Sequence, residues 1–579
     1  MLDEAISRSD TQAAVGAFRS QNWRSIFRRC VRVVLPTLIF GWYHSFGYLN
    51  PLAAPRLMFG SDWTTYVVSP NFLRSSSFFT WPAGEIPNYV APIGTNLAQT
   101  DSFPVLLPLY RVLLAVFPNR PIQIVGLALL VAVILTFNAV AGFLDMVQSD
   151  GHWLWRELAT LAVASVAVIA PFWNLQYNHP ALMQAWIIVW ALTGALRRCP
   201  SLFSGGLEKS PKKWTGLGPI CAAAAVQPYL IPMVLLPALA PDLVAVRSKP
   251  RWVALKCGVA CGLILLISVS LGYLSGGGQL GSPGFGNYAA DLASVIDPNG
   301  QSRFVTDLPS TPDSIGGYGY LGLGGLFLLA GAGYCFLLER RRPPVNGGRN
   351  LHDRRPLHAV YVSVAMLTAY SIMPRVRILG HEVLHFEKIT DQITSLTSIF
   401  RVNGRYIWVF IWLILLLAGA QLIRSIDRRL STAILAVALG LQVADVVPFP
   451  PLLRASGQVE YLSAAQRLRD EQQSGATSIE FQPPVVIPGC YSVDYESFEV
   501  LGDVLLAAAV VGLPVNSGYT ARLNPAFIER NCVDDALRFA DQKFRPDVLY
   551  VLPATYPEPV DLVCSMITVQ LRGCRTEQQ

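Results

Sequence analysis

Residues 121–144 read PIQIVGLALLVAVILTFNAVAGFL, a run without a single charged side chain. The hydrocarbon core of a bilayer is about 30 Å thick, and a helix needs roughly 20 apolar residues to cross it. The run therefore predicts a membrane-spanning helix, and ten further apolar segments bring the predicted total to about eleven. They are 33–50, 157–173, 180–196, 215–228, 229–246, 252–274, 319–338, 357–373, 405–423 and 431–447.

The composition of the whole chain agrees with a membrane protein. Of 579 residues, 52% are hydrophobic and 14% are charged, whereas ordinary soluble domains carry roughly 25% charged residues. The net charge of +7 does not predict a nucleic-acid partner, because the basic residues stand in short clusters between apolar segments. We expect a mainly α fold, a polytopic transmembrane helical bundle in a lipid bilayer, followed by a small C-terminal α/β domain.

The charge of the loops predicts the orientation. Segment 104–118 is apolar but begins and ends with Pro and carries Arg111, so we interpret it as an interfacial helix. Five basic clusters then fall on one side, which the positive-inside rule makes cytoplasmic. They are 19–32, 197–213, 247–256, 340–355 and 424–429. We expect a cytoplasmic segment 1–32, a transmembrane domain 33–447 with outer loops 51–120, 275–318 and 374–404, and an inner-membrane location in a bacterium.

The chain changes character from residue 448. Strand-like runs such as Val548–Leu552 alternate with helical runs such as 500–512, which predicts an extracytoplasmic α/β domain over 448–579. Four cysteines lie there, and in an oxidising compartment they allow two disulfides in three pairings. They are Cys490, Cys532, Cys564 and Cys574. The close pair Cys564 and Cys574 is the preferred bridge, and four reduced thiols are the alternative.

The polar residues gather in the outer loops. The short cytoplasmic loops contain neither GxxxxGK[ST] nor a GxGxxG after a strand, which disfavours an ATPase or an enzyme that uses cytoplasmic nucleotide sugars. We therefore expect the catalytic or binding residues to lie on the outer face of the membrane.

Four outer residues are candidates for acid–base chemistry. Asp62 follows the first span in Gly60-Ser-Asp-Trp63, where a carboxylate suits a general base or a divalent-cation ligand; a helix N-cap is the alternative. Asp101 equally suits a cap of the helix at 104. His179 lies in a polar turn and suits a proton shuttle, a phosphate ligand or a solvated interface residue. Asp291 precedes an apolar stretch that we expect to lie on the membrane.

Five further residues are candidates for substrate binding. The aromatic residues Trp63 and Trp81 suit a sugar face or the membrane interface, and glycines around Tyr320 allow close approach of a lipid or sugar. Arg401 and Arg405 oppose the positive-inside trend. An Arg side chain donates two parallel hydrogen bonds to phosphate, so these two suit a lipid phosphate or the head groups of ordinary anionic lipids.

Several short motifs resemble the GT-C superfamily of multi-span glycosyltransferases, in the form of a bacterial GT-C-like membrane family. They are Gly60-Ser-Asp-Trp63, Thr100-Asp-Ser102, Asn178-His-Pro180, Gly284-Phe-Gly286 with Asp297-Pro-Asn-Gly300, Tyr320-Leu-Gly-Leu-Gly324 and Phe400-Arg-Val-Asn-Gly-Arg405. GT-C enzymes carry an acidic residue in the first outer loop and an interfacial helix before the second span. Asp62 and segment 104–118 match that arrangement.

The resemblance implies an inverting transfer of a sugar from a polyprenyl-phosphate donor to an extracytoplasmic glycan, lipid or protein acceptor. Asp62 would be the base, Arg401 and Arg405 would hold the lipid phosphate, and His179 and Asp291 would assist. The first loop has a single Asp instead of the paired acidic motif of the superfamily, which leaves a need for Mg²⁺ or Mn²⁺ open. A transporter or flippase of a lipid-linked saccharide and a non-catalytic envelope assembly protein are the alternatives.

Overall fold

The structure is a computed structural model. It describes residues 2–57, 60–147, 153–175, 179–199, 214–275, 284–309, 316–341, 354–386, 394–424, 428–448, 457–487, 490, 498–520 and 524–576. Within these ranges the structure does not describe the side chains of 2–22, 60–62, 394–396, 428, 486–487 and 498–500.

The chain is mainly helical, as its composition predicts, and every one of the eleven apolar segments overlaps a helix. Nineteen α-helices are described in chain order. They are α1 Leu2–Tyr43, α2 Gly60–Asn71, α3 Leu107–Val116, α4 Val125–Val147, α5 Trp153–Ile169, α6 Pro171–Asn174, α7 Trp186–Leu196, α8 Leu217–Val226, α9 Leu230–Leu243, α10 Pro250–Ser270, α11 Gly322–Arg341, α12 Arg355–Ile372, α13 Thr394–Ile399, α14 Ile407–Arg424, α15 Arg428–Asp445, α16 Gly457–Gln473, α17 Phe498–Val511, α18 Pro525–Phe527 and α19 Asp535–Ala540.

Four helical segments in the described chain are long and apolar enough to cross a membrane: Val125–Val147, Pro250–Ser270, Gly322–Arg341 and Asn403–Arg424. The expected number of eleven crossings is not supported by this criterion. Several of the other helices are too short, since α7, α8 and α9 contain 11, 10 and 14 residues where a straight crossing takes roughly 20. Pro228 and its neighbours separate α8 from α9, which gives two short helices at this predicted pair of spans.

Helix α3 lies within the predicted interfacial segment 104–118, and its Arg111 is buried. The guanidinium donates to the carbonyls of Leu73, Ser76 and Ser77 at 2.6–2.9 Å. Carbonyls at the end of a helical segment have no partner within it, so Arg111 satisfies the end of the segment that follows α2. This contact explains a charged side chain in an apolar helix.

One end of the helical bundle holds buried ion pairs. Arg32 of α1 contacts Asp145 of α4 at 2.7 Å and Glu157 of α5 at 2.8 Å. A second cluster joins Asp242, near the end of α9, to Arg198 at 2.6 Å and to Lys256 of α10 at 2.8 Å. The three basic residues belong to the predicted cytoplasmic basic clusters 19–32, 197–213 and 247–256, and their acidic partners lie near helix ends. The ion pairs therefore tie neighbouring helices together where the predicted cytoplasmic loops begin.

The other end of the bundle is tied by hydrogen bonds near the predicted outer ends of the spans. Gln123 donates to the carbonyl of Tyr48 at 2.8 Å, and Phe172 donates its N–H to the carbonyl of Tyr320 at 2.9 Å. The indole of Trp408 donates to the carbonyl of Tyr318 at 3.1 Å. Segments distant in sequence therefore meet at this end of the bundle.

The C-terminal part contains the strand region that the sequence predicts. Ten strands are described in the whole chain: β1 Glu85–Ile86, β2 Thr95–Asn96, β3 Arg375–Ile378, β4 His381–His385, β5 Ser478–Phe481, β6 Val486–Ile487, β7 Gly518–Tyr519, β8 Val548–Pro553, β9 Leu562–Met566 and β10 Leu571–Thr576. The main sheet has the order β5-β8-β10-β9. Strand β5 is parallel to β8, and the other two pairs are antiparallel. Strand β8 is buried along its whole length, as a continuous apolar run in a central strand predicts.

Two disulfides join the four C-terminal cysteines. Cys564 and Cys574 face one another across β9 and β10 and are bonded, which is the bridge preferred from the sequence. Cys490 is bonded to Cys532. The alternative of four reduced thiols does not match this arrangement.

The C-terminal domain packs on the first outer loop. Ala91 donates its N–H to the carbonyl of Val515 at 2.7 Å, and Val515 donates to that of Asn88 at 2.9 Å. The N–H of Tyr519 donates to the hydroxyl of Tyr89 at 2.8 Å. Helix α17 also packs along α2, so the helix that carries Asp62 is held between the bundle and this domain.

Candidate functional site

Asp62 and Trp63 lie in the first turn of α2. The side chain of Asp62 is outside the described residues, so its predicted role as a base stays a prediction. Trp63 is 1% exposed, and its ring centroid lies 5.9 Å from that of Tyr48. The expectation of a sugar-binding surface at Trp63 is therefore corrected: the ring is part of the hydrophobic core.

Asp101 follows the one-turn helix Leu97–Thr100 in the left-handed conformation, with φ 56°. It does not cap the next helical turn, whose N-cap residue is Phe103. Its neighbours Thr100 and Ser102 each lie 2.8 Å from the hydroxyl of Ser69. The residue itself is half-buried. Asp101 thus lies beside a hydroxyl cluster, and its predicted catalytic role stays a prediction.

Asp291 is a structural residue. It is 4% exposed, and its carboxylate accepts the N–H groups of Ala293 at 2.7 Å, Leu379 at 3.1 Å and Gly380 at 2.8 Å. Leu379 and Gly380 form the turn between β3 and β4, so Asp291 fastens this hairpin to the bundle. These contacts give the buried carboxylate a structural role in place of the assisting role predicted from the sequence.

Tyr320 is also structural. The residue is fully buried, and its hydroxyl donates to Asp445 at 2.8 Å. The same carboxylate accepts the hydroxyl of Ser302 and the N–H of Leu323. Tyr320 therefore joins the start of α11 to the end of α15, and it offers no surface to a lipid or sugar. The glycines near Tyr320 predicted the close approach of a ligand, but another helix packs against them instead.

Arg405 has a different environment from these residues. It lies in a single helical turn, Asn403–Tyr406, at the start of a candidate span, and it is 9% exposed. Its guanidinium carbon lies 5.2 Å from the ring centroid of Tyr229. In the described chain its Nε atom has no hydrogen-bond partner, and no carboxylate forms an ion pair with it. Arg405 is thus a buried cation that stands over an aromatic ring.

Three contacts fix the turn that carries Arg405. The side-chain amide of Asn403 donates to the carbonyls of Tyr370 at 2.8 Å and Met373 at 2.5 Å. A Cβ atom at Gly404 would stand 2.1 Å from the carbonyl oxygen of Tyr288, so the close approach of these backbones requires glycine. Among the described residues the buried Asn403 Oδ1 and Tyr406 hydroxyl also have no hydrogen-bond partner. One turn therefore presents three buried polar atoms without partners.

His179 lies close enough to Arg405 to sense its charge. Burial, and then the positive charge of Arg405, lower the pKa of His179 to about 3. The imidazole is therefore neutral near pH 7, so it adds no positive charge for a phosphate, but a neutral ring still donates and accepts hydrogen bonds. The structure brings this predicted pair together.

Arg401 and Trp81 complete the predicted residues. Arg401 is half-buried and lies one turn before Arg405 in the chain. Trp81 is 68% exposed, as a ring for a sugar face or the membrane interface must be. The aromatic residues around Arg405 were missed from the sequence. Tyr229 lies at the break between α8 and α9, and Phe400 and Tyr406 flank the arginine in the chain. The only signal for Tyr229 was the Pro228 that interrupts the apolar run.

A metal centre is not apparent in the described part of the chain. No group of three His, Cys, Asp or Glu residues there is arranged to hold a metal ion. The side chain of Asp62, the predicted cation ligand, is outside the described residues, so this statement does not cover it. The predicted use of Mg²⁺ or Mn²⁺ stays open.

Two family models match the chain. The model described as "Domain of unknown function (DUF6311)" matches residues 33–447, and the model described as "DUF6311 C-terminal domain" matches residues 471–567. The first match covers more than half of the chain, so the protein belongs to the DUF6311 family. No curated protein matches the chain.

Proposed function

We propose that this member of the DUF6311 family is a GT-C-type glycosyltransferase. It moves a sugar from a polyprenyl-phosphate donor to an extracytoplasmic glycan, lipid or protein acceptor. The observation that carries the proposal is Arg405, a buried guanidinium without a carboxylate partner in the described chain, at the end of a candidate membrane span.

Arg405 has the properties of a phosphate-binding residue that lacks its ligand. A buried charge without a counter-charge costs several kcal/mol, and an anionic ligand would offset that cost. The planar guanidinium matches phosphate and stacks on aromatic rings, which accounts for the position of Tyr229. A lipid phosphate lies at the membrane surface while its chain lies in the bilayer, so a site at the end of a span suits this class of anion.

The other predicted residues take roles around this phosphate. The acceptor hydroxyl attacks the anomeric carbon while the bond from that carbon to the phosphate oxygen breaks. Asp62 takes the proton of the acceptor, and Arg405 with Arg401 stabilises the polyprenyl phosphate that leaves. Neutral His179 orients the sugar or the phosphate as a hydrogen-bonding group, and exposed Trp81 offers a face to the sugar.

The proposal includes eleven crossings and an outer site in the inner membrane of a bacterium. The ion pairs at one end of the bundle and the contacts between span ends at the other support alternating helices. The two disulfides support a C-terminal domain in an oxidising compartment, and the proposal assigns Arg405 to the same, periplasmic side. Short and broken helices cross a bilayer where neighbouring helices cover their ends, and seven of the eleven residues of α7 are buried.

The binding step can be tested with the full chain in lipid nanodiscs and a fluorescently labelled polyprenyl phosphate. We expect Arg405→Gln to weaken binding about tenfold or more, since it removes a charge-assisted, bidentate contact. Arg405→Lys should recover part of the loss, because it keeps the charge but not the planar fork. Arg56→Gln is the matched control, since Arg56 is an exposed arginine of the first outer loop.

Competition separates the phosphate from the lipid chain. Unlabelled polyprenyl phosphate should displace the probe, whereas the corresponding polyprenol should not. Wild-type affinity in Arg405→Gln would contradict the proposed site.

The chemical step has its own test: an Asp62→Asn variant that binds the donor normally and still transfers the sugar at the wild-type rate would remove Asp62 from the mechanism. Lipid binding without any transfer would favour the transporter or assembly alternatives.

A further inference from the structure

A cleft of about 280 Å³ lies where the first outer loop meets the C-terminal domain. The β1–β2 hairpin forms one side of it. Ser275, at the end of the segment that follows α10, and Asn524 and Phe527 of the C-terminal domain also line it. Its volume is at the lower end of the range for small-molecule sites, roughly 300–1,000 Å³, which suits a ligand of one or two rings.

Gln99 offers a fixed acceptor in this cleft. The residue is 8% exposed, and its Nε2 donates to the carbonyls of Gly272 at 3.0 Å and Tyr273 at 2.9 Å. These bonds hold the carboxamide in one orientation. No donor in the described chain bonds its Oε1 atom, which therefore remains for a ligand.

The hairpin supplies two more polar groups that the fold does not use. Glu85 pairs through its backbone with Asn96, and Thr95 pairs with Ile86. Neither the carboxylate of Glu85 nor the hydroxyl of Thr95 has a hydrogen bond or an ion pair within the described chain. A short hairpin is a rigid support, since Asn96 also donates to the carbonyl of Ala83 at 2.8 Å. The backbone of the two residues is thus held in place, and their polar side-chain groups face the cleft lining without a bond in the described chain.

The chemistry of the cleft selects a neutral, hydroxyl-rich ligand. Its described lining residues include carboxamide, hydroxyl and carboxylate groups but no Lys or Arg, so it lacks the cation that a phosphate requires. The apolar side chains of Pro87, Ile93 and Phe527 lie among the polar ones, and a sugar ring presents both C–H faces and hydroxyl groups. The cleft therefore differs from the Arg405 site, which contains a buried cation.

We propose that this cleft binds a neutral saccharide, held by Glu85, Thr95 and Gln99 on one side and by the C-terminal domain on the other. The proposal rests on the cleft alone and does not require the transfer reaction. It assigns the C-terminal domain a direct part in ligand binding, because Asn524 and Phe527 close the cleft.

The test uses the full chain in nanodiscs, without glycoside detergents, which would themselves present sugar rings. Saturation-transfer NMR with maltotetraose, cellotetraose, chitotetraose and mannotetraose is expected to detect binding of at least one of them. The double variant Glu85→Gln with Thr95→Val should weaken that binding about fivefold or more, through the loss of two polar contacts. The control Asp561→Asn changes an exposed carboxylate elsewhere on the C-terminal domain and should leave it unchanged.

Binding of none of the four saccharides at millimolar concentration would overturn the proposal, as would binding that the double variant does not weaken. Tetralysine is the comparison probe. If tetralysine binds with the same dependence on Glu85 and the saccharides do not, the cleft takes a basic peptide instead. Because the Arg405 site is intact in the double variant, the polyprenyl-phosphate assay is expected to give wild-type values, so the two proposals fail separately.

Discussion

Asp291 shows how a buried carboxylate stabilises a loop. It accepts three backbone N–H groups, two of them from the β3–β4 turn. Replacing it by Ala leaves these donors without their acceptor, and each buried donor left unsatisfied costs about 1–3 kcal/mol. We therefore expect Asp291→Ala to lower the thermal unfolding temperature clearly, while the variant that still folds binds polyprenyl phosphate normally.

The matched control is Asp307→Ala. The carboxylate of Asp307 accepts one backbone N–H, that of Gly300, at an exposed position, where water replaces it. An unfolding temperature for Asp291→Ala no lower than that for Asp307→Ala would contradict the structural role of Asp291.

His179 couples stability to pH. Its pKa is about 3 in the folded chain, whereas an unperturbed histidine has a pKa of about 6.5. Between these values the unfolded chain binds the proton and the folded chain does not, so stability falls as the pH falls from about 6.5 towards 3. We expect His179→Gln to reduce this loss, measured as the unfolding temperature between pH 7 and pH 4.

The exposed residue His381, in β4, provides the comparison variant His381→Gln. It should keep the wild-type pH profile. If His179→Gln follows the wild-type profile as well, His179 is not the buried neutral group that the structure indicates.

The individual residues were only partly predictable from sequence. Arg405 stood out because a basic residue on the outer side opposes the usual charge distribution. Trp63 and Tyr320 were predicted to bind substrate because they are aromatic residues close to glycine, and Asp291 was predicted to assist catalysis because an apolar stretch follows it. Such local context is the same in a ligand site and in a packed interior. What separates the two is tertiary contact, and Asp291 meets Leu379 and Gly380 from a part of the chain almost ninety residues away.

At the scale of helices, the buried ion pairs fix how α1, α4 and α5 pack. Arg32 and Arg28 both contact Glu157, but the Arg32 side chain is 10% exposed and that of Arg28 is 38% exposed. Removing one partner of a buried pair costs about 3–5 kcal/mol, because the other charge remains buried. We expect Arg32→Met to lower the unfolding temperature far more than Arg28→Met, measured on purified protein in nanodiscs.

Each of these variants loses one positive charge from the same segment, so a general effect on membrane insertion would change both alike. Equal unfolding temperatures would therefore mean that the Arg32 ion pairs contribute little to stability.

The helices themselves were predictable from the sequence, because apolar runs and Pro breaks are local signals. The pairing of Arg32 with Asp145 and Glu157 was not, since both partners lie more than a hundred residues further along the chain.

At the scale of the whole molecule, the C-terminal domain and the first outer loop form one unit. The strands and helices of the domain were predicted from the sequence pattern. The packing of the domain on the first loop was not predicted, because a contact between two surfaces leaves no periodic signal in the sequence. The contact depends on Tyr89, which is buried against Phe72 with ring centroids 4.9 Å apart and accepts the N–H of Tyr519. Gly518 packs directly against the Tyr89 ring.

Tyr89→Ala should loosen this docking. Truncating a buried aromatic residue costs about 3–5 kcal/mol, and here the loss falls on an interface between two parts of the chain. We expect faster hydrogen exchange in β7 and in α2, and weaker saccharide binding in the cleft that the two parts share.

Tyr556→Ala removes an aromatic residue from the separate small hydrophobic cluster inside the C-terminal domain, so it controls for general destabilisation of that domain. If both variants speed exchange in α2 equally, Tyr89 does not hold the domain in place. If only Tyr89→Ala does so, the helix that carries Asp62 is ordered by the C-terminal domain, and the domain acts on the proposed site through the first loop.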